Sequence, residues 1–328
     1  MKKGFTLIEL LAIISILSII ALISIPVVNN VLEESQQKIT LESARELVKQ
    51  ATTTTVDNGN TVPYQYKIED NTLNYRGGDF TKGLIVVTSG NHSFVENLST
   101  PKYCINGSLD NLEIEKGSCT NSSYTDYVST EQIMNDFSNS SMLTFDELKG
   151  DFYLKGNVTN NYVSFSGIVW RILSFKDGMM RLVSQSPISA GGSKNYQASL
   201  DYLKNTFYNN LENKEYVVSS EYSTGLVSST ADLNNVIASE ETMNENYKVA
   251  LLTVGDYMRA TQSGTNFITN GSTWLLNKKN ESTGYYLSTS TINTLSISST
   301  MTFRPVITLQ SYVAFSGIGT SSDPYKVK

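Results

Sequence analysis

The chain has 328 residues, 40% of them hydrophobic, which is enough for one large or two ordinary domains with real cores and excludes disorder throughout. A formal net charge of -6 and a pI near 5.0, with no cluster of Lys and Arg, exclude a basic nucleic-acid-binding surface. Nineteen Tyr against 17% charged residues, with heavy use of Ser, Thr and Asn, describe a β-rich surface that is polar without being highly charged.

Lys2 and Lys3 give a short positive end, and residues 5–32 are apolar apart from Thr6, Glu9, Ser15, Ser18, Ser24, Asn29 and Asn30. A run of that length crosses a bilayer as a helix. Nothing after Leu32 has the small-residue pattern of an ordinary secretory cleavage site. Inside the run stands one carboxylate, Glu9. An unpaired charge in hydrocarbon costs at least several kcal/mol, so Glu9 needs a partner or a job.

The stretch "KKGFTLIELLAIISILSIIALISIP" resembles the N-terminus of type IV prepilins, the class III signal shared by pilins and type II secretion pseudopilins. The resemblance covers about the first 50 residues and implies an assembly route. A membrane peptidase would cut after Gly4 and methylate the new amino terminus of Phe5. The same helix would then leave the membrane and polymerise with other pilin subunits. In such a bundle Glu9 would face the cationic amino terminus of a neighbour's Phe5, an ion pair that sets axial register more than it adds stability.

Pro26 removes one intrahelical hydrogen bond and clashes with the preceding turn, so a kink or local melting is expected there, as pilins commonly show. Beyond it, Leu32, Ile39, Ala44, Leu47, Val48 and Ala51 recur by threes and fours, predicting an amphipathic continuation of the helix. Helix over residues 5–53 would be about 70 Å long at 1.5 Å per residue. The run "TTTTVDNGN" is expected to end it.

From Thr61 to about Thr120 the segments "TVPYQYKI", "TLNYR", "GLIVVTSG" and "SFVENL" read as short strands on which the helix lies. This is the α+β arrangement of a pilin head, spanning residues 54–120. Cys104 and Cys119 are the only cysteines. Outside the cytosol they are expected to form a disulfide closing a loop of about 15 residues, against the alternative of two unrelated buried thiols. Many pilins of the family close such a loop near the end of the head.

Residues 121–149 read as a polar connector with a short helix around Ser129 to Phe137. Residues 150–328 have the size of an independent domain. "YVSFSGIVWRILSFKDGMMRLVSQ" alternates around an Asp177-Gly178 turn, predicting a hairpin with Ile168, Trp170, Ile172, Met180 and Leu182 on facing strands. "NYQASLDYLKNTFYNNL" predicts an amphipathic helix through Leu200, Leu203, Phe207 and Leu211. The order "VSFSGIVWRIL", "VALLTVGDYMRA", "STWLL", "FRPVITL", "GIGTSSDPYKV" resembles a module of surface proteins of low-GC Gram-positive bacteria, itself similar to the C-type-lectin-like fold. Leu275 and Leu276 replace that module's usual aromatic doublet.

The expected fold is therefore α+β: a long helix on an antiparallel pilin head, then a second β-rich module. Chemistry is sparse. His92 is the sole histidine, and no phosphate loop, dinucleotide fingerprint or zinc motif is present, so neither an enzyme nor a cofactor is expected. Carboxylate pairs such as Glu240 with Glu241, or Asp177 with Asp201, are the kind any chain with 31 acids offers. Asp323 in "GTSSDP" lacks the dense oxygen spacing of a calcium loop. Trp170, in mid-strand, is expected in the core, whereas Trp274, after a Gly-Ser turn, is either a core residue or a candidate sugar-stacking aromatic. The reading is a type IV pilus subunit, minor or at the tip. It would be processed by a prepilin peptidase, held in the membrane as a precursor, and then displayed on an extracellular filament. Its C-terminal module would meet a glycan or matrix ligand. A major shaft pilin, a pseudopilin and a pilus-borne hydrolase are the alternatives.

Overall fold

A computed structural model describes residues 6–75, 77–121, 123–188, 192–269 and 271–328. The chain divides into two compact units, Met1–Tyr124 and Thr125–Lys328. Each has its own hydrophobic core. The division falls at residue 124, inside the segment read from sequence as a connector, and most of that segment belongs to the second unit.

The first unit opens with helix α1 (Leu7–Asp57). Its helical assignment is continuous across residue 26, whose side chain is not among the described ones. Burial begins only at Ala44. Leu32 and Ile39, expected on the packed face, are 54% and 66% exposed. Ala44, Leu47, Val48 and Ala51 supply the helix's share of the core. α1 ends inside the run "TTTTVDNGN" as expected, but at Asp57 with Asn58 as its cap rather than near residue 53, so the turn formers stop it and the threonines do not. Thr52, Thr53 and Thr55 return their hydroxyls to the carbonyls of Val48, Lys49 and Ala51 at 2.9, 3.1 and 2.8 Å, so their side-chain polarity is absorbed within the helix. Thr55 Oγ1 also lies 3.1 Å from the Tyr66 hydroxyl.

Against this face stands a five-stranded antiparallel meander in chain order: β1 (Tyr64–Lys67), β2 (Lys82–Val87), β3 (Phe94–Ser99), β4 (Tyr103–Ser108) and β5 (Asn111–Lys116). Ile85, Val87, Val95, Leu98 and Ile105 meet the helix in one core. Two expectations are corrected here. In "TLNYR" the described residues 72–75 are not a strand, because a 3-10 turn at Ile68–Asp70 and the left-handed Asn71 (φ 52) break the extended backbone before them, and Arg76 lies outside the described residues. The loop between the cysteines is itself the β4–β5 hairpin, with Ser108 opposite Asn111. Cys104 and Cys119 are joined, with Cα atoms 4.7 Å apart. The Cys119 N–H donates to Ser99 Oγ at 3.1 Å, so the bond fastens the end of the head to β3 as well as to β4.

The second unit starts with α2 (Thr130–Asp136), whose Ser129 and Gln132 form a reciprocal capping box. Strands β6 (Leu143–Asp146), β7 (Asp151–Leu154), β8 (Tyr162–Phe165), β9 (Ile168–Lys176) and β10 (Met179–Ser184) follow. Helix α3 (Tyr196–Tyr202) runs into a wider π turn at Leu203–Phe207, which keeps Leu203, Phe207 and Leu211 buried. Next come β11 (Ser220–Ser223), α4 (Leu233–Glu240), β12 (Asn244–Tyr247), β13 (Val249–Leu251) and α5 (Val254–Arg259). The chain ends with β14 (Ser272–Asn280), β15 (Thr283–Ser288), β16 (Thr291–Ser296), β17 (Thr302–Phe303), β18 (Pro305–Leu309), β19 (Phe315–Ser316) and β20 (Tyr325–Val327).

Among the described residues the main sheet has nine strands, with the path β13-β18-β10-β9-β8-β20-β19 and β6-β7 joined to β9. Its centre is the expected hairpin. Asp177 and Gly178, at φ 52 and 74, make the tight turn whose twist suits antiparallel strands. The anticipated alternation fails in β9, where residues 170–175 are all buried, because this central strand is covered on both faces. Arg171 is buried among them. It donates to Asn161 Oδ1 (2.6 Å) and the Val158 carbonyl (2.5 Å), with its guanidinium 3.9 Å from the Tyr162 ring centroid. A smaller sheet, β16-β15-β14-β17, and the β11–β12 pair complete the unit.

Breaking the Cys104–Cys119 bond should cost the head about 3 kcal/mol, the loop-closure value for a loop of about 15 residues. Guanidinium unfolding of Cys104→Ser beside the oxidised parent measures it, and matching midpoints would count against a stabilising bridge.

Candidate functional site

Two places concentrate chemistry. The first is the start of α1. Gly4 and Phe5, the expected cleavage and methylation positions, lie outside the described residues. Glu9 is described, and it closes a capping box with Thr6. Its Oε2 accepts from the Thr6 N–H and from Thr6 Oγ1, both at 2.8 Å, and the Glu9 N–H donates to Thr6 Oγ1 at 3.4 Å. Glu9 is the one ionisable residue in 7–32. Ser15 and Ser18 hide their polarity by donating to the Leu11 and Ile14 carbonyls at 2.8 and 2.7 Å. Leu7, Ile8, Leu11, Ile16 and Leu22 are between 57% and 85% exposed. The helix is long and apolar enough to cross a membrane, and none of its most apolar stretch is buried. Farther along, Lys116 Nζ meets Glu33 Oε1 at 2.5 Å on the head.

The second place is a cleft of about 460 Å³ in the second unit, with Lys149, Arg181, Ser220, Glu241, Asp256 and Arg259 in its wall. Arg259, on α5, organises it. Its Nη1 donates to Asp151 Oδ1 at 2.6 Å and to Asp146 Oδ2 at 3.3 Å, and its Nη2 donates to Asp256 Oδ1 at 2.6 Å. One guanidinium thus ties the β6–β7 hairpin to α5. Burial would weaken its charge, but Asp256 and Asp151 outweigh that and raise its pKa above the ordinary arginine value. Arg181 Nη1 stands 3.6 Å from Asp256 Oδ2 and stacks over the Tyr222 ring at 4.5 Å. Burial pushes the Asp256 carboxyl up, and the Arg181 and Arg259 guanidiniums more than reverse it, holding the group below its usual range. On the rim, Lys149 bridges Glu241 at 3.1 Å and Ser223 Oγ at 2.7 Å.

Only the short-range part of this arrangement is visible in sequence. Asp256 and Arg259 stand three apart in "VGDYMRA", whereas Asp146 and Asp151 reach Arg259 across 113 and 108 positions. Among the described residues no group of three or more His, Cys, Asp and Glu is arranged to hold a metal, and Asp323 pairs with Lys326 at 3.1 Å. His92 sits in a 3-10 turn, Gly90–His92, of the first unit.

Trp274, the candidate stacking aromatic, is corrected: it is fully buried. Its Nε1 donates to the Lys194 carbonyl at 3.0 Å and its ring meets Tyr196 edge-on at 5.9 Å, so its polar handle and its face are both used inside the core. Trp170 is equally buried and donates to the Phe165 carbonyl at 3.1 Å.

Residues 1–25 match the family model described as the prokaryotic N-terminal methylation motif. No curated protein and no solved structure matches the chain. The first 25 residues therefore carry a type IV pilin-like prepilin signal, which implies processing by a prepilin peptidase and assembly with other pilin-type subunits. With the apolar helix behind it, the signal fits a precursor anchored in the membrane.

Close to the cleft, Glu240 at the end of α4 is fully buried. Its Oε1 accepts from the Gly255 N–H at 2.6 Å, and its Oε2 has no hydrogen-bond partner. Burial pushes its pKa to about 8, against the opposing pull of the Gly255 N–H. The folded state holds this proton more tightly than the unfolded state. Its contribution is therefore complete below about pH 4.5 and lost as the pH rises toward about 8, with a limiting slope of about 1.4 kcal/mol per pH unit. Urea unfolding of the second unit followed across that range should show the decline, and Glu240→Gln should flatten it. An equal slope in both proteins would rule out Glu240 as its source.

Proposed function

We propose that the chain is a minor or tip-associated type IV pilus subunit that polymerises through α1 and carries its second unit outward as an adhesive module. The observation that carries this reading is the pairing of the N-terminal methylation motif with a helix whose described apolar side chains between Leu7 and Leu32 are all exposed. After release from the membrane such a helix needs another apolar environment, and the same helix on neighbouring copies supplies one. The second unit takes no part in that argument. It has a separate core built on Trp170, Trp274 and the central sheet, and such an independently folded addition is easiest to accommodate at a filament tip.

The role is binding rather than catalysis. Asp151 and Asp256 in the cleft are tied to the Arg259 guanidinium, and the Arg181 and Arg259 charges hold the Asp256 carboxyl below its usual range, which favours its ionised, proton-accepting form over that of a general acid. A shaft pilin with a bulky decoration shares the same helix argument, and a pseudopilin shares the same signal. Subunit abundance in sheared filaments separates the first, and the cell's secretion phenotype the second.

Gly4→Ala should leave an uncleaved precursor in the membrane fraction, and mature-size protein on the cell surface would defeat the signal assignment. Glu9→Gln keeps an N3 side chain able to complete the capping box while removing the charge. It should permit cleavage yet lower incorporation into filaments by about tenfold or more, in keeping with loss of a buried ion pair; normal incorporation would sink the pairing. Removing residues 125–328 should spare filament incorporation and abolish adherence of cells to a host matrix. Undiminished adherence would remove the adhesive role.

A further inference from the structure

We propose that the cleft walled by Asp256, Arg181 and Ser220 is a binding site for the hydroxyl groups of a neutral saccharide. This deepens the adhesive reading of the second unit and rests on it. Asp256 is 7% exposed, and only one of its two carboxylate oxygens is hydrogen-bonded. Oδ1 is held by Arg259, while Oδ2 is buried at the cleft wall with no hydrogen bond and only the Arg181 guanidinium at 3.6 Å. Ser220, from β11, places a second buried and unbonded oxygen in the same wall. Buried polar atoms are as a rule hydrogen-bonded, because leaving one unmade costs about 1–3 kcal/mol. With Arg259 Nε and Thr308 Oγ1, which also lie unbonded on residues of this wall, four such atoms in one cleft mark a place where something from solvent completes the set.

The charges select its chemistry. Asp256 is ionised, so its free oxygen can only accept. An ammonium could donate to it, but would be set against Arg181 and Arg259. A carboxylate or phosphate would suit Arg181, but would face Asp256 with Glu221 and Glu241 in the same wall. A neutral hydroxyl meets both demands, donating to Oδ2 while a lone pair faces Arg181, and a further hydroxyl of the same molecule would serve Ser220 in the same wall. Vicinal hydroxyls of that kind are what a saccharide presents. Among the described residues the wall contains no aromatic side chain, so affinity rests on polar contacts without a stacking face and falls in the millimolar range.

The test is saturation-transfer NMR on the full chain in a glycan-free zwitterionic detergent. The probes are glucose, galactose and N-acetylglucosamine, with lysine and glucuronate as charged comparators. Transfer to at least one neutral sugar is expected. It should be abolished in Asp256→Asn and weakened about three- to tenfold in Ser220→Ala, the loss for one hydrogen bond. Ser220→Ala makes no change in an ion pair and keeps the test decisive if Asp256→Asn fails to fold. Transfer undiminished in Ser220→Ala, and in a folded Asp256→Asn, overturns the cleft assignment while leaving an adhesive module. Preference for lysine or glucuronate overturns the neutral chemistry. No transfer from any sugar leaves water as the occupant and overturns the inference, while loss of adherence on removing residues 125–328 would still uphold the adhesive reading.

Discussion

An apolar helix that its own chain does not cover is the constraint on which the rest of the molecule depends. Residues 7–32 hold a single ionisable group, and the first fully buried helical side chain is Ala44. The front half of α1 must therefore be solvated by lipid or by other protein. The back half is held by the meander through Leu47, Val48 and Ala51. The local chemistry agrees with this division. In the apolar half the serine hydroxyls turn back onto the helix and Glu9 turns back onto Thr6. Polar groups are thus satisfied without water, as an apolar surrounding demands.

In the second unit the organising element is a cation instead. Arg259 draws Asp146, Asp151 and Asp256 together from a hairpin and a short helix, and with that geometry the cleft acquires its shape. Taking one guanidinium out of water is costly, and three carboxylates around it offset the cost only because two of the contacts are as short as 2.6 Å. The arrangement leaves one oxygen of Asp256 without a hydrogen bond. The Nε of Arg259 is likewise buried without a hydrogen bond, so the clamp holds its elements together without satisfying every polar atom it buries.

What the sequence made legible was local. The signal and the long helix rest on neighbouring residues, as do the Ser129 helix and the hairpin turn at Asp177-Gly178, and all four can be read from short-range patterns. Misreadings came where a distant element decided the outcome. β9 alternates in sequence, yet both of its faces are covered, because strands and helices far along the chain fold onto it. Trp274 lies in a stretch that could stand exposed, until Tyr196 and the Lys194 carbonyl, some 80 positions earlier, enclose it. The β4–β5 hairpin was hidden by its cysteines, which drew attention to the loop they close rather than to the strands inside it. Glu9 was expected to need an outside partner; within its own chain it finds Thr6 three residues away, and both side-chain contacts fall on Oε2.

The meander ends on β5, an edge strand with one side of its backbone free of sheet partners. When many identical copies stand close together, open edges of this kind invite strand-to-strand fusion between neighbours. Glu113, Glu115 and Lys116 stand exposed on β5, and the acids repel their own images on another copy. The disulfide fixes the chain beyond β5 back onto the sheet, limiting how far this edge can peel away to find a new partner. A subunit built to associate through one surface is thus guarded against associating through another.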